Sequence, residues 1–396
     1  MALLPVPEAL ETILNRSHPI ETEIISIHDA LGRALADDVR SQLTQPPFAA
    51  SAMDGYAVRF DDIGGPLTLI GESQAGKSFD GSLSNGEAVR IFTGAPVPVG
   101  ADTVIMQENT SFEGNQVTIN ECRAKGINIR KIGEDFKKDD ILLKKGVKIT
   151  ARHIAVIAAG NVEKICVYRK PKVAILSTGD ELLDVGSEIS PDKIVNSNVP
   201  LFMALIKENG GIPVNLGTAR DTLDDVKAKI SKVKDVDIFV SIGGVSVGDY
   251  DIIKDVLKDA GLKVDFWKVA MQPGKPIVYG DFKGIHYFGM PGNPSSAYIC
   301  FVNFMLPAMN KMQGLGEYGY PISHAILDHD IKEGSGRMNF MRAIYTENQD
   351  GIKTVSANFS QSSALLKTMS DANCLLIRDV KAPPAKAGEL VKIVLI

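Results

Sequence analysis

Three acids, Glu181, Asp221 and Asp251, follow three short apolar runs: VAILS (173–177), IPVNLG (212–217) and DIFVSI (237–242). Each run is rich in β-branched or aromatic residues and reads as a buried strand, so the acids sit beyond strand ends. Taken singly, each reads as a helix N-cap or a solvated turn residue. Asp249 reads as an N-cap, and Asp251 alone is balanced between a ligand and a first-turn acid favoured by the helix dipole. Gathered together they repel, and a hard cation relieves that repulsion. Mg²⁺ accepts one or two carboxylates together with waters and substrate phosphates, which makes these three the candidate metal ligands.

Three glycine-rich loops accompany the acids: IGGVSVGDYD (242–251), MQPGKP (271–276) and GMPGNPSSA (289–297). Glycine at a strand end lets backbone N–H groups approach an anion closely. Gly243, Gly244, Ser246 and Gly248 are the candidates in the first loop. Lys268 and Lys275 flank the second as point-charge partners for phosphate, although Lys268 also reads as a solvent-facing residue of an edge strand. Pro291, Gly292, Asn293 and Ser295 open a helix in the third, either as ordinary capping or as an anion site on a helix N-terminus. No Walker loop and no G-x-G-x-x-G after a strand is present, so ATP hydrolysis and dinucleotide binding are poorly supported. No Ser/His/Asp or Cys/His set appears, which points away from covalent catalysis.

The elements that must position these residues follow from periodicity. From Lys170, strands alternate with helices near 197–209, 222–232, 249–260 and 294–313. Further runs VDFWKV (264–269), PIVYG (276–280) and IHYFG (285–289) complete a parallel sheet covered by helices on both faces. Such sheets bind ligands outside their carboxyl ends, where these loops converge. Upstream, residues 5–16 have helical spacing, 28–36 read as a second short helix, and 150–160 as a third with Thr150 as N-cap and Gly160 as stop. The third is expected to pack back on the first two. Between them, LTLIGES, EAVRIFTGAP, DTVIMQE and NQVTINE are short alternating runs of an inserted β unit. The tail (RMNFMRAIYT, CLLIRDV, ELVKIVLI) reads as a last β domain.

Composition bounds the function class. With 396 residues and a net charge of −5, the chain is multidomain and is not a general nucleic-acid binder. No apolar stretch approaches membrane-span length, and MALLPVPEAL lacks the basic region of a signal peptide. The four cysteines are scattered, as expected of reduced thiols in a cytoplasm. The six histidines have no ligand spacing; His324 and His329 read as structural or surface residues.

The β unit holds three further loops. PPFAASAMDGYAVR (46–59) contains Asp54-Gly55, a hairpin-turn signal. IFTGAPVP (91–98) presents Thr93 beside a glycine. GINIRKIGEDF (126–136) holds Arg130, Glu134 and Asp135. The residues alone assign them no use.

Taken in order, SAMDGYAVR, TGAPVP, NIRKIGED, STGDEL, GGVSVGDYD, PGKP and MPGNPSSA closely resemble the bacterial molybdopterin molybdenumtransferases (MoeA) and the gephyrin E domain over essentially the whole chain. GGVSVGxxD is shared with the wider molybdopterin-binding fold. SAMDGYAV and TGAPVP are specific to the molybdenum-inserting branch. The resemblance implies a multidomain α/β protein: a central parallel sheet flanked by helices (171–318), an inserted β-rich domain (45–136), a helical N-terminal linker domain (1–44 plus 137–170) and a C-terminal β-barrel-like domain (319–396). It implies Mg²⁺-dependent AMP release from adenylylated molybdopterin and insertion of molybdate.

The matching catalytic positions are Asp54, Thr93, Asp135, Glu181, Asp221 and Asp251, with Lys268 and Lys275 as cations and Arg342 and Ser363 in the C-terminal domain. Gln272 stands where many relatives carry lysine, which removes a charge there. The resemblance further implies a homodimer, with Asp54 and Thr93 reaching a partner's cleft, and a molybdopterin adenylyltransferase as upstream donor. Alternatives of other kinds are a gephyrin-like peptide-binding scaffold and an adenylyltransferase of the same fold.

Overall fold

The computed structural model describes residues 3–244, 252–316 and 319–396. The chain divides into two compact units. One comprises Met1–Glu23, Gly32–Ala36 and Val167–Ile396; the other comprises Ile24–Leu31 and Asp37–Cys166.

The larger unit is built on a six-stranded sheet in the order Ile212–Ala219, Lys172–Thr178, Ile238–Ile242, Ile285–Met290, Val278–Phe282, Leu262–Trp267. The first four strands are parallel, as expected. Val278–Phe282 runs antiparallel to both its neighbours, which the apolar pattern does not encode, and Leu262–Trp267 beyond it runs in the direction of the first four. The reversal is imposed by the turn after Phe282: Lys283 and Gly284 take φ of 55° and 88°, and Phe282 pairs with Ile285. Two left-handed residues between paired strands make a tight hairpin.

Both faces of this sheet are buried. Val173, Ile175, Val240 and Phe288 face one core, and Ala174, Leu176, Phe239 and Tyr287 face the other. That alternation is the two-residue period of a strand covered on both sides. Helices Asn198–Glu208 and Pro294–Cys300 contribute to the first core, and Leu223–Ile230 and Ile252–Asp259 to the second. The long helix expected over 294–313 is interrupted by a π-helical turn at Phe301–Met305 before Leu306–Met312 resumes. Pro307 has no N–H to continue the ladder, and a π turn accommodates that loss.

The first helix, Val6–Arg16, belongs to this unit. It buries Val6, Ala9 and Ile13 in the first core, and Lys311 Nζ donates to the Leu14 carbonyl at 2.7 Å. Five strands of the tail, Ile322–Leu327, Met338–Glu347, Lys353–Ser356, Cys374–Arg378 and Leu390–Leu395, close on themselves as a barrel. Met271–Gln272 adds to it in parallel beside Met338 and Asn339.

The smaller unit carries a second six-stranded sheet in the order Thr103–Met106, Gly55–Val58, Glu87–Ile91, Pro66–Ser73, Gln116–Ile119, Thr110–Glu113. Helix Ala151–Ala159 starts after Thr150, whose N–H donates to His153 Nδ1 at 3.2 Å. The helix expected at 28–36 is instead a single 3₁₀ turn, Ile27–Asp29, because Gly32 adopts a left-handed φ of 77° in mid-run.

His286 is a buried base on the central sheet, with Nδ1 2.8 Å from the Tyr279 hydroxyl. Burial, with a smaller contribution from the Arg16 charge, depresses its pKa from 6.5 to about 4. The neutral ring favours the fold above pH 6.5, and that contribution disappears as pH falls toward the folded-state value. Urea unfolding followed by the single tryptophan, Trp267, should therefore show wild type losing about 2–3 kcal/mol more than His286→Gln between pH 7 and 4.5. Equal losses in the two proteins would contradict this account.

Candidate active site

Strand register determines where the loops leave the sheet. Leu176 pairs with Ser241, Ser241 with Gly289, Gly289 with Val278, and Val278 with Trp267, forming one row near a single edge. The parallel strands end just beyond it, and the 268–277 connection crosses the same edge. In the next pair, Thr178 lies beside Ala219. Two residues further on stand Asp180 and Asp221, at the same offset from paired positions. Asp180 N–H donates to Asp221 Oδ2 at 3.3 Å, and Asp221 N–H donates to Asp180 Oδ1 at 3.1 Å. Each carboxylate thus fixes the other's backbone and keeps one oxygen outside the exchange. Both residues are exposed. Lys193 Nζ donates to the Asp180 carbonyl at 2.6 Å and steadies this loop.

Glu181 follows Asp180, but its carboxylate folds back against Gly179. The hydrogen bonds therefore couple Asp221 to Asp180, which is not among the residues expected at the site. Its place in STGDEL, directly before Glu181 and beyond the same apolar run, is the signal in the sequence. Asp251, Ser246 and Gly248 lie outside the described residues. Among the described residues no group of three or more potential metal-ligating side chains gathers. Two exposed carboxylates from adjacent loops still suit Mg²⁺, which takes its remaining oxygens from water and phosphate.

Gly243 and Gly244 follow directly on the strand Ile238–Ile242. Gly243 adopts φ of 91°, and a Cβ there would lie 2.8 Å from the Thr178 carbonyl oxygen. Gly244 is also left-handed at 65°. Gly292 approaches Gly243 backbone to backbone: a Cβ on Gly292 would lie 3.8 Å from the Gly243 Cα. Asn198 Nδ2 holds the Gly292 carbonyl at 2.7 Å. Pro291 is buried behind this turn, and Asn293 is exposed with Nδ2 3.1 Å from Ser363 Oγ.

The cations divide into two kinds. Lys275 is exposed, and the Lys268 ammonium lies 4.6 Å from the Trp267 ring centroid on a backbone at φ of 73°. Neither forms an ion pair among the described residues, so both keep a charge to offer an anion. Gln272 Oε1 accepts from Arg337 at 3.0 Å, so its amide orients a neighbouring guanidinium.

Arg342 differs from its expected ligand-binding role. It is 1% exposed, and its guanidinium donates to Ser295 Oγ, the Leu365, Ser360 and Ser362 carbonyls, and Thr368 Oγ1, over 2.6–3.2 Å. Burial lowers its pKa. With its donors engaged inside the protein, Arg342 positions the 360–368 loop against Ser295, which is fully buried and whose N–H donates to the Ser363 carbonyl at 3.2 Å.

In the smaller unit, three loops meet. Ile129 and Arg130 pair with Ser51 and Ala50, and Gly94 N–H donates to the Ser51 carbonyl at 2.8 Å. Asp135 N–H reaches the Gln45 carbonyl at 3.1 Å, while the Asp135 side chain is exposed. Asp54 Oδ1 accepts from Thr93 N–H at 2.7 Å and Thr93 Oγ1 at 2.9 Å. These bonds, the backbone one foremost, lower the Asp54 pKa, with help from the Arg90 charge. Asp54-Gly55 is not the tip of a two-residue hairpin: Gly55 begins a buried strand. A Cβ there would sit 1.8 Å from the Ile105 carbonyl oxygen, so glycine is required for strand contact.

Two outcomes follow. Arg342→Met leaves buried acceptors unpaired and should cost about 3 kcal/mol, with faster hydrogen exchange confined first to 360–368 and 293–296. Unchanged exchange there would remove Arg342 from its positioning role. Thr93→Val removes one donor to Asp54 and should raise the Asp54 pKa toward its ordinary value in a carboxyl NMR titration. An unmoved titration would show that the hydroxyl does not hold the carboxylate.

Comparison with known proteins covers nearly the whole chain. Residues 4–160 match the MoeA N-terminal region (domains I and II), 174–311 a probable molybdopterin binding domain, and 324–396 the MoeA C-terminal region (domain IV). The molybdopterin molybdenumtransferase of Haemophilus influenzae is 36% identical over 380 residues, covering 95% of this chain and 94% of that protein. The Staphylococcus aureus (strain COL) protein of the same name is 34% identical over 403 residues, covering 99% and 95%. The crystal structure of a molybdopterin biosynthesis moeA protein from Pyrococcus horikoshii OT3 superposes with TM-score 0.86 at 31% identity, covering all of both chains. The paired-loop edge, the barrel tail and the Asp54–Thr93 loops thus occur in a chain that belongs to the MoeA family of molybdopterin molybdenumtransferases.

Proposed function

We propose that this protein takes adenylylated molybdopterin and molybdate, releases AMP in a Mg²⁺-dependent step and leaves molybdenum on the dithiolene. The observation that carries this reading is the sheet edge where Asp180 and Asp221 interlock and the Gly243 and Gly292 backbones meet, in a chain similar throughout its length to molybdopterin molybdenumtransferases. Molybdate is a dianion and the second substrate carries a pyrophosphate. Lys268 and Lys275 supply cations, and the glycine backbone supplies close N–H donors. Asp221, with Asp180 or Glu181, would hold Mg²⁺, and Asp251 would complete the set. The metal would neutralise phosphate charge. The protein's own part is orientation of the two anions and electrostatic preorganisation.

Asp54, held as a carboxylate by Thr93, and Asp135 would act from the β unit. In this reading the protein is a cytoplasmic homodimer in which Asp54 and Thr93 reach a partner's cleft, supplied by a molybdopterin adenylyltransferase. Four domains divide the work: 1–44 with 137–170, 45–136, 171–318 and 319–396.

The test is to incubate purified protein with adenylylated molybdopterin, Mg²⁺ and molybdate, then measure AMP and dithiolene-bound molybdenum. Asp54→Ala and Glu181→Ala should each fold and lose turnover by about a hundredfold or more. Normal turnover by both variants would overturn the assignment of the site.

A further inference from the structure

The sheet edge opposite the candidate site carries a cavity of about 310 Å³. Its floor is apolar: Ile230, Val256 and Phe282 are each at most 5% exposed. Its rim is charged. Lys227 and Lys283 project from different elements, and neither has an ion-pair partner among the described residues. Asp259 shares the rim but makes no ion pair with either lysine. Lys283 occupies the hairpin turn at φ of 55°, with its ammonium 5.4 Å from the Phe282 ring centroid. An apolar floor below two unneutralised ammonium groups matches a ligand with a flat hydrocarbon body and one anionic group. The acid on the same rim restricts where that anion can lie.

The cavity is formed where two helices end. Leu223–Ile230 begins two residues after Asp221 and contributes Lys227 and Ile230. Ile252–Asp259 follows the GGVSVGDYD segment and contributes Val256 and Asp259. Both helices run from the loops of the candidate site to this cavity, a distance of about 12 Å for eight residues. A body lodged between their ends ties them together at the ends remote from Asp221. An interior packed at crystal-like density transmits such a constraint along a rigid helix.

We propose that this cavity is an effector site for a small aryl carboxylate, whose binding restrains the two helices that carry the site's loops. Binding itself does not depend on the proposed reaction, so its test is independent of turnover. The probe is 2-naphthoate, titrated into the full-length protein and followed by calorimetry and hydrogen exchange. One saturable site is expected, with slower exchange in 223–230 and 252–259. Lys227→Gln combined with Lys283→Asn, the latter suited to a left-handed backbone, should weaken binding by about tenfold or more. Ser231→Phe fills the cavity from its exposed rim and should abolish binding while the urea midpoint is retained. Non-saturating binding, undiminished affinity in these variants, or protection confined to other segments would each overturn the proposal.

Discussion

The register of the central sheet is the constraint on which the candidate site depends. Leu176, Ser241, Gly289, Val278 and Trp267 lie in one row, so the following or intervening loops emerge along one line. A slip of one residue in any strand would turn its buried side chains to the opposite face. Burial resists that slip, because both faces already carry large apolar residues such as Phe288 and Phe239. The same pairing brings Thr178 beside Ala219, and only then can Asp180 and Asp221 exchange backbone bonds. The chemistry of the edge is a consequence of packing in the two cores beneath it.

Charge is distributed around this sheet by function. Arg169 binds Asp237 through both terminal nitrogens at 2.7 Å, just before Ile238–Ile242 starts, and Arg16 binds Asp265 and Asp281. These ion pairs neutralise carboxylates near the amino ends of the parallel strands and anchor the first helix and its following turn. Lys268 and Lys275, at the other edge, have no such counter-ions among the described residues. Arg342 is a third case, in which oxygen dipoles rather than a carboxylate satisfy the guanidinium. An arginine held in this way orders a loop while remaining inaccessible to a ligand.

In the smaller unit, a steric requirement underlies an electrostatic one. Gly55 must lack a side chain for its strand to meet Thr103–Met106. That close pairing fixes Asp54 at the strand entry, where both donors of Thr93 converge on one oxygen. Arg90 adds positive charge nearby while resting 4.9 Å from the Tyr56 ring centroid. The carboxylate is kept ionised by bonds that specifically favour its charged form, even though it stands in solvent.

Much of this was legible in the amino-acid order. Short apolar runs rich in β-branched and aromatic residues identified the central strands, helical spacing placed Val6–Arg16 and Ala151–Ala159, and loop glycines marked close backbone approaches. These are local properties, carried by neighbouring residues. Strand direction at 278–282, the strands at 322–327 and 353–356, and the π turn in the last long helix required the folded chain. So did the engagement of Arg342 by a loop some twenty residues away and the interlock of Asp180 with Asp221, 41 residues apart. Residue types determined which groups were able to bind an anion or a cation. Tertiary structure decided which of them remained exposed and which spent their hydrogen bonds inside the protein, because burial and partner distance arise only when distant segments pack.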